Sequence, residues 1–161
     1  GVGDILWTRD LGRGTVPGMW FCPVLPFDLD GDGVDEIYLV ENPNADHPLG
    51  VSHYRLTRLD ARTGEVSGGT PWPAPARDQP LSHTFRFFLV GGQANGKPVL
   101  VSAQGTYGPM HFQAWTGDLQ PLWEQRVLPG LMPGGNGAMG SHMCPVLDIN
   151  NDGDDELLWG E

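Results

Sequence analysis

The sequence predicts an all-β, turn-rich fold, and three observations carry that expectation. Glycine and proline are abundant, with 24 Gly and 15 Pro taking 39 of the 161 positions, where ordinary usage of the two together is about 12%. The longest stretch free of both, Val51–Thr63, has 13 residues and lacks an apolar stripe at helical spacing. Short apolar runs also recur between acidic or glycine turns, the pattern of paired strands. Disorder is excluded because 39% of the residues are hydrophobic and only 18% charged. No apolar run reaches the roughly 20 residues of a membrane-spanning helix.

Taken in chain order, residues 1–12 carry the Gly-acid turn Val2-Gly-Asp-Ile and are expected to be the last strand of one antiparallel unit. Residues 18–75 are expected to be a complete unit of four strands. Its inner hairpin is Cys22-Pro-Val-Leu-Pro-Phe-Asp-Leu-Asp-Gly-Asp-Gly-Val-Asp-Glu-Ile, an apolar strand entering an acidic turn, with Ile37–Val40 leaving it. Its outer hairpin turns at Arg62-Thr-Gly-Glu-Val. Residues 83–128 repeat the plan without the acids. There Phe85, Phe87 and Leu89 alternate, Gly91–Pro98 is expected to turn, Val99–Val101 returns, and Trp115-Thr-Gly-Asp-Leu makes the outer turn. Residues 142–161 restart the inner hairpin with Cys144-Pro-Val-Leu-Asp-Ile-Asn-Asn-Asp-Gly-Asp-Asp-Glu-Leu.

The outer-turn glycines stand at 3, 64 and 117, spacings of 61 and 53 residues. That is close to one four-stranded blade of a β-propeller, with insertions. The predicted architecture is therefore part of a single β-propeller domain over residues 1–161, about three blade equivalents of four antiparallel strands each, with cation-binding turns. Closing a propeller takes about four blades or more. The remainder of a larger propeller, or neighbouring copies of the chain, is the expected partner for closure.

Charge narrows the partners. Lys and Arg number 9 against 20 Asp and Glu, a net charge of −11, so the basic footprint of a nucleic-acid binder is missing. Half of the acids fall in two windows, Asp28, Asp30, Asp32, Asp35, Glu36 and Asp148, Asp152, Asp154, Asp155, Glu156. Like charge at that density is costly without cations between the groups.

Numbered from its first Asp, each window offers oxygen ligands at alternate positions. Asp28, Asp30 and Asp32, or Asp148, Asn150 and Asp152, take positions 1, 3 and 5; Gly33 or Gly153 takes position 6. Val34 or Asp154 would supply a backbone carbonyl at position 7, and Glu36 or Glu156 stands at position 9. Alternating oxygens around a glycine turn suit Ca²⁺, which accepts about six to eight oxygens in a forgiving geometry. Zinc prefers nitrogen or sulfur donors. The loop is not an EF-hand, because position 12 is Leu39 or Trp159 instead of a bidentate Glu. Two structural Ca²⁺ sites are expected, each replacing a turn between inner strands. Cys22 and Cys144 open the two equivalent hairpins and are expected to be small core residues.

The loops on the face opposite the acidic turns hold all five histidines, His47, His53, His83, His111 and His142. Histidine is the side chain best placed to move protons near neutrality, and long loops on one rigid face are where function concentrates. Taken singly, each of them fits the structural role of a hydrogen-bonded strand cap better than a catalytic one.

The Asp28–Ile37 segment and the segment Gly140-Ser-His-Met-Cys-Pro-Val-Leu-Asp-Ile-Asn-Asn-Asp-Gly-Asp-Asp-Glu-Leu resemble the calcium-loop blades of rhamnogalacturonan lyases of polysaccharide lyase family 11. They are also similar, more generally, to FG-GAP repeats of integrin-type propellers. The lyase resemblance implies a secreted, calcium-dependent propeller enzyme that cleaves the rhamnose–galacturonate backbone of pectin by β-elimination. It supports the Ca²⁺ ligands named above and places no catalytic residue. The base would come from the histidine-bearing face, with His142, His53, His111 and Tyr107 as candidates and Arg86 as a partner for the uronate carboxylate. Two other readings stay open: a non-enzymatic calcium-stabilised propeller binding glycan or protein at the cell surface, and a self-assembling structural repeat.

Overall fold

The computed structural model describes residues 3–44, 53–74, 86–105, 109–127 and 143–159. Within them the chain is all-β, with no helix and three antiparallel sheets laid down in sequence order. The first sheet runs β1 (Val24–Phe27), β2 (Glu36–Glu41), β3 (Arg55–Leu59), β4 (Val66–Pro71). The second repeats that order with β5 (Phe87–Ala94), β6 (Lys97–Gln104), β7 (Met110–Trp115), β8 (Pro121–Val127). The third is a hairpin of β9 (Val146–Leu147) and β10 (Glu156–Leu157). No helix of the described residues is long and apolar enough to cross a membrane.

Period-two alternation sends each sheet's side chains to two different cores. On β2, Tyr38 and Val40 face the second sheet, where they join Leu56, Phe87, Leu100 and Trp115 in the main cluster. Leu39, with Ile37, faces the other way, onto Cys22, Leu59 and the side chains of Trp7 and Leu11. On β7, Met110 and Phe112 pack toward the third sheet, against Cys144, Leu157 and Trp159. The molecule is thus a stack, in which every sheet is glued to the next through one of its faces. Tyr54 and Trp72 close the main cluster over the Phe87 ring, each with ring centroids 5.1 Å from it.

The sheets also meet along their first strands. A side chain on Gly91 would put its Cβ 2.6 Å from the Phe27 ring of β1, and one on Gly92 would put it 2.6 Å from Val146 of β9. The glycine pair on β5 lets three first strands approach as bare backbone.

Two expectations need correction. Gly91–Pro98 is not the turn: β5 and β6 stay paired from Phe87↔Gln104 out to Ala94↔Lys97. Only Asn95 and Gly96 turn, both at positive φ (54° and 68°), the geometry of a type I′ hairpin whose twist matches that of its strands. Residues 3–12 form no strand. Their tertiary bonds instead run to side chains or to a turn: Trp7 Nε1 donates to the Ala61 carbonyl at 2.8 Å, and Arg9 Nη2 reaches both carboxylate oxygens of buried Glu41 at 3.2 Å. Cys22 and Cys144 are both buried free thiols.

Candidate metal loops

The two acidic segments link β1 to β2 and β9 to β10, so each replaces the tight turn that β5–β6 uses. Their internal bonds follow one plan. Asp28 accepts the N–H groups of Gly31 (2.8 Å), Asp32 (3.0 Å) and Gly33 (2.9 Å). Asp30 accepts from Asp32 N, and Asp32 accepts from Val34 N. In the later loop Asp148 accepts from Asp152 N and Gly153 N, Asn150 from Asp152 N, and Asp152 from Asp154 N. Every acceptor is a short side chain bonded two to five residues onward, the Asx-turn habit of Asp and Asn. Position 6 needs φ of 88° at Gly33 and 95° at Gly153, a region closed to most side chains.

This winding gathers acids. In the first loop the ligand oxygens of Asp28, Asp30 and Asp32 all lie within 4.8 Å of one another, the sole such group among the described residues. Three carboxylates at that spacing, on an exposed turn, make an all-oxygen donor set that suits a hard divalent cation. Backbone N–H groups already hold each carboxylate in place, so little side-chain freedom remains to be lost on binding.

Position 9 is where the loops part. Glu36 turns away, accepting a 2.9 Å bond from the Tyr38 hydroxyl. Leu158, two residues past Glu156, offers no hydroxyl, and Glu156 folds into its own loop, accepting from Ile149 N at 3.0 Å and from Asn150 Nδ2 at 3.1 Å. The two loops therefore differ: in the first the oxygens of Asp28, Asp30 and Asp32 converge, while in the second Asn150 Nδ2 stands between two acids, donating to Asp152 Oδ2 and Glu156 Oε1. The residue two places beyond the Glu was the available signal, and sequence reasoning passed over it. At position 7, the Val34 and Asp154 N–H groups both donate back into the loop.

The described candidates for proton transfer are dispersed. His111 is buried on β7, with Nδ1 2.9 Å from the Ala74 carbonyl and Nε2 3.3 Å from a Glu124 carboxylate oxygen. Both ring nitrogens thus face acceptors, and the ring ties β7 to the segment leaving β4. Its neighbour Gln104 does the same, donating to the Pro73 carbonyl and accepting from Trp72 Nε1 at 3.1 Å. The Arg86 guanidinium lies 3.9 Å from the centre of the Trp20 ring, a cation–π contact at the edge of the main core. His53 is exposed at a φ of 69°. Tyr107 and His142, like His47 and His83, lie outside the described residues.

Comparison with known proteins gives this geometry a setting. No family model matches the chain. It is 27% identical over 189 residues to the rhamnogalacturonan exolyase YesX of Bacillus subtilis (strain 168), an alignment covering 98% of this chain. The rhamnogalacturonan endolyase YesW of the same organism is likewise 27% identical, over 192 residues. Its relatives are rhamnogalacturonan lyases. The crystal structure of the exotype lyase YesX superposes with a TM-score of 0.80 at 25% identity, over 98% of this chain and 31% of that one. A Bacillus licheniformis rhamnogalacturonan lyase gives 0.73 at 25% identity, over 93% of this chain and 30% of its own. The chain spans about 30% of the length of the curated relatives it matches. The sheets described above thus match a fragment of a lyase domain.

Proposed function

We propose that this chain is part of a secreted, calcium-dependent polysaccharide lyase that cleaves rhamnogalacturonan by β-elimination. The observation that carries the reading is near-complete alignment of the chain to both an exolyase and an endolyase of that polysaccharide. In such a reaction a base removes the proton α to the uronate carboxyl, the developing enolate charge is held by a cationic group, and the 4-linked sugar oxygen leaves. Arg86 is the candidate partner for a uronate carboxylate, and the Trp20 ring holds its guanidinium. His53 is the described histidine open to solvent.

A propeller arrangement is supported by the contacts of β1 with β5 and β5 with β9, and by the glycines that admit them. Ca²⁺ in the two acidic loops would stiffen the turns beside those strands by neutralising carboxylates that otherwise repel. Asp28, Asp30 and Asp32 would hold one ion, and Asp148, Asn150, Asp152 and Glu156 the other.

A second reading, a calcium-stabilised propeller that binds glycan without cleaving it, is favoured by the engagement of His111 at both ring nitrogens. One experiment separates the two. The protein is incubated with rhamnogalacturonan, with Ca²⁺ or with a chelator, and the ultraviolet absorbance of unsaturated uronate ends is followed. The lyase reading expects absorbance to rise with Ca²⁺ and to be lost with chelator. Saturable binding of the polysaccharide without any rise would sink it in favour of the second.

A further inference from the structure

The later acidic loop does something its spacing does not announce. Asp155 Oδ2 accepts the Gln93 N–H at 2.7 Å, and Asp155 N returns a bond to the Gln93 carbonyl at 2.8 Å. Asp154 Oδ1 accepts the Asn95 N–H at 2.5 Å. Gln93 lies on β5, the edge strand of its sheet, paired on one side only. An edge strand carries backbone groups without a ladder partner, which need acceptors and donors from elsewhere. We propose that Asp154 and Asp155 are an inter-sheet clasp on the β5–β6 hairpin, and that a cation held in the loop tightens that clasp.

The side-chain directions support the division of labour. Consecutive residues at a strand point to opposite sides: Glu156 folds inward onto Ile149 and Asn150, while Asp155 reaches outward to Gln93. Whatever fixes Glu156 in the loop therefore fixes the backbone that presents Asp155. The approach is close enough to demand Gly92, where an added Cβ would stand 2.6 Å from Val146 and 3.1 Å from Asp155 Oδ2. The equivalent residues of the first loop, Val34 and Asp35, are exposed, whereas Asp154 and Asp155 are half-buried. The clasp is thus a property of the loop's neighbour and not of the loop's own winding. The clasp stands on these bonds alone; its tightening by a cation rests on the calcium reading above.

The test is amide hydrogen exchange at Gln93 and Asn95 in the full chain, with and without Ca²⁺, in the wild type and in Asp155→Ala. Calorimetry counts bound Ca²⁺ in parallel. The clasp expects exchange at Gln93 to quicken about tenfold or more in the variant, the loss of a charge-assisted bond, with the number of bound ions unchanged. Unaltered exchange at Gln93, or the loss of one bound ion, overturns it, the latter by making Asp155 a ligand. Coupling expects Ca²⁺ to slow exchange at Gln93 and Asn95 in the wild type and to do so less in the variant. Ca²⁺ that binds and leaves both amides unchanged overturns the coupling. If no Ca²⁺ binds, the calcium reading falls with the coupling, and the metal-free comparison of the two proteins still decides the clasp. If exchange at the core amides of Leu100 and Phe112 shows that Asp155→Ala has unfolded, Asp155→Asn, which keeps an acceptor and removes the charge, takes its place.

Discussion

The loops at 28–36 and 148–156 share one spacing and one internal bonding plan, yet they end in different hands. In the first, three Asp carboxylates converge, the Tyr38 hydroxyl draws Glu36 aside, and Asp35 faces solvent. In the second, Asn150 replaces one carboxylate, Glu156 turns in, and Asp154 and Asp155 hold the neighbouring hairpin. The β5–β6 hairpin occupies the same place in its sheet and needs no acids, because Asn95 and Gly96 supply the turn from backbone conformation alone. A repeat unit therefore dictates how a loop winds and leaves open what the loop is used for.

The largest expected effect strikes one loop's surroundings and spares the other's. Gly92→Val would drive a branched side chain into Val146 and Asp155 and cost about 3 kcal/mol, the upper end for overpacking, read by urea denaturation. A cost under about 1 kcal/mol would mean that the third sheet yields freely. Next comes Asp28→Ala, which strips the Gly31 and Gly33 N–H groups of their acceptor and leaves Asp32 N–H with Asp30 alone. It should cost about 2 kcal/mol and remove the first loop's share of any Ca²⁺-induced rise in Tm, with Asp148→Ala as the matched control on the second.

Tyr38→Phe tests the divergence at position 9. Freed from the hydroxyl, Glu36 can join the three aspartates, and Ca²⁺ affinity of the first loop should rise by about threefold to tenfold, or roughly 1 kcal/mol, against about 1 kcal/mol of lost stability from the missing hydrogen bond. Calorimetry that shows an unchanged or weakened affinity would assign Glu36 no part in the site.

The smallest effect is confined to alkaline solution. Burial pushes the Cys144 thiol up to about 11, and burial first, then the charge of Glu41, does the same to Cys22. A thiol whose pKa is raised by folding keeps its proton more tightly in the native state. Its contribution is complete below the ordinary value of 9.0 and is lost as pH climbs toward about 11. Tm should fall across that window and fall less in the Cys22→Ala, Cys144→Ala double variant. Neither thiol should alkylate at neutral pH in the folded protein.

Much of the fold was legible because its signals are local. The acidic hairpins and the outer turns near Gly64 and Gly117 announce themselves within a few residues, through Asx chemistry and strand alternation. The β5–β6 hairpin was misread because Gly91 and Gly92 looked like turn residues. They are strand residues left bare to admit Phe27 and Val146, contacts invisible at their own position. Residues 3–12 read as a strand from a Gly-acid turn and alternating flanks, but Trp7 and Arg9 are held by side-chain bonds to Ala61 and Glu41. His111 read as a candidate base, and its burial between Ala74 and Glu124 follows only from the packing of two sheets.

By itself, then, the sequence determined the all-β class, the hairpin repeats and the winding of both acidic loops. Each bond that winds those loops spans at most seven residues, so the chain needs nothing distant to make it. Tertiary structure alone decided which acids stay within their own loop and which face a neighbour. Gln93 and Asp155 are 62 residues apart, Asn95 and Asp154 59 apart. Only the stacking of one sheet on the next brings an edge strand's unpaired N–H groups to the carboxylates that satisfy them.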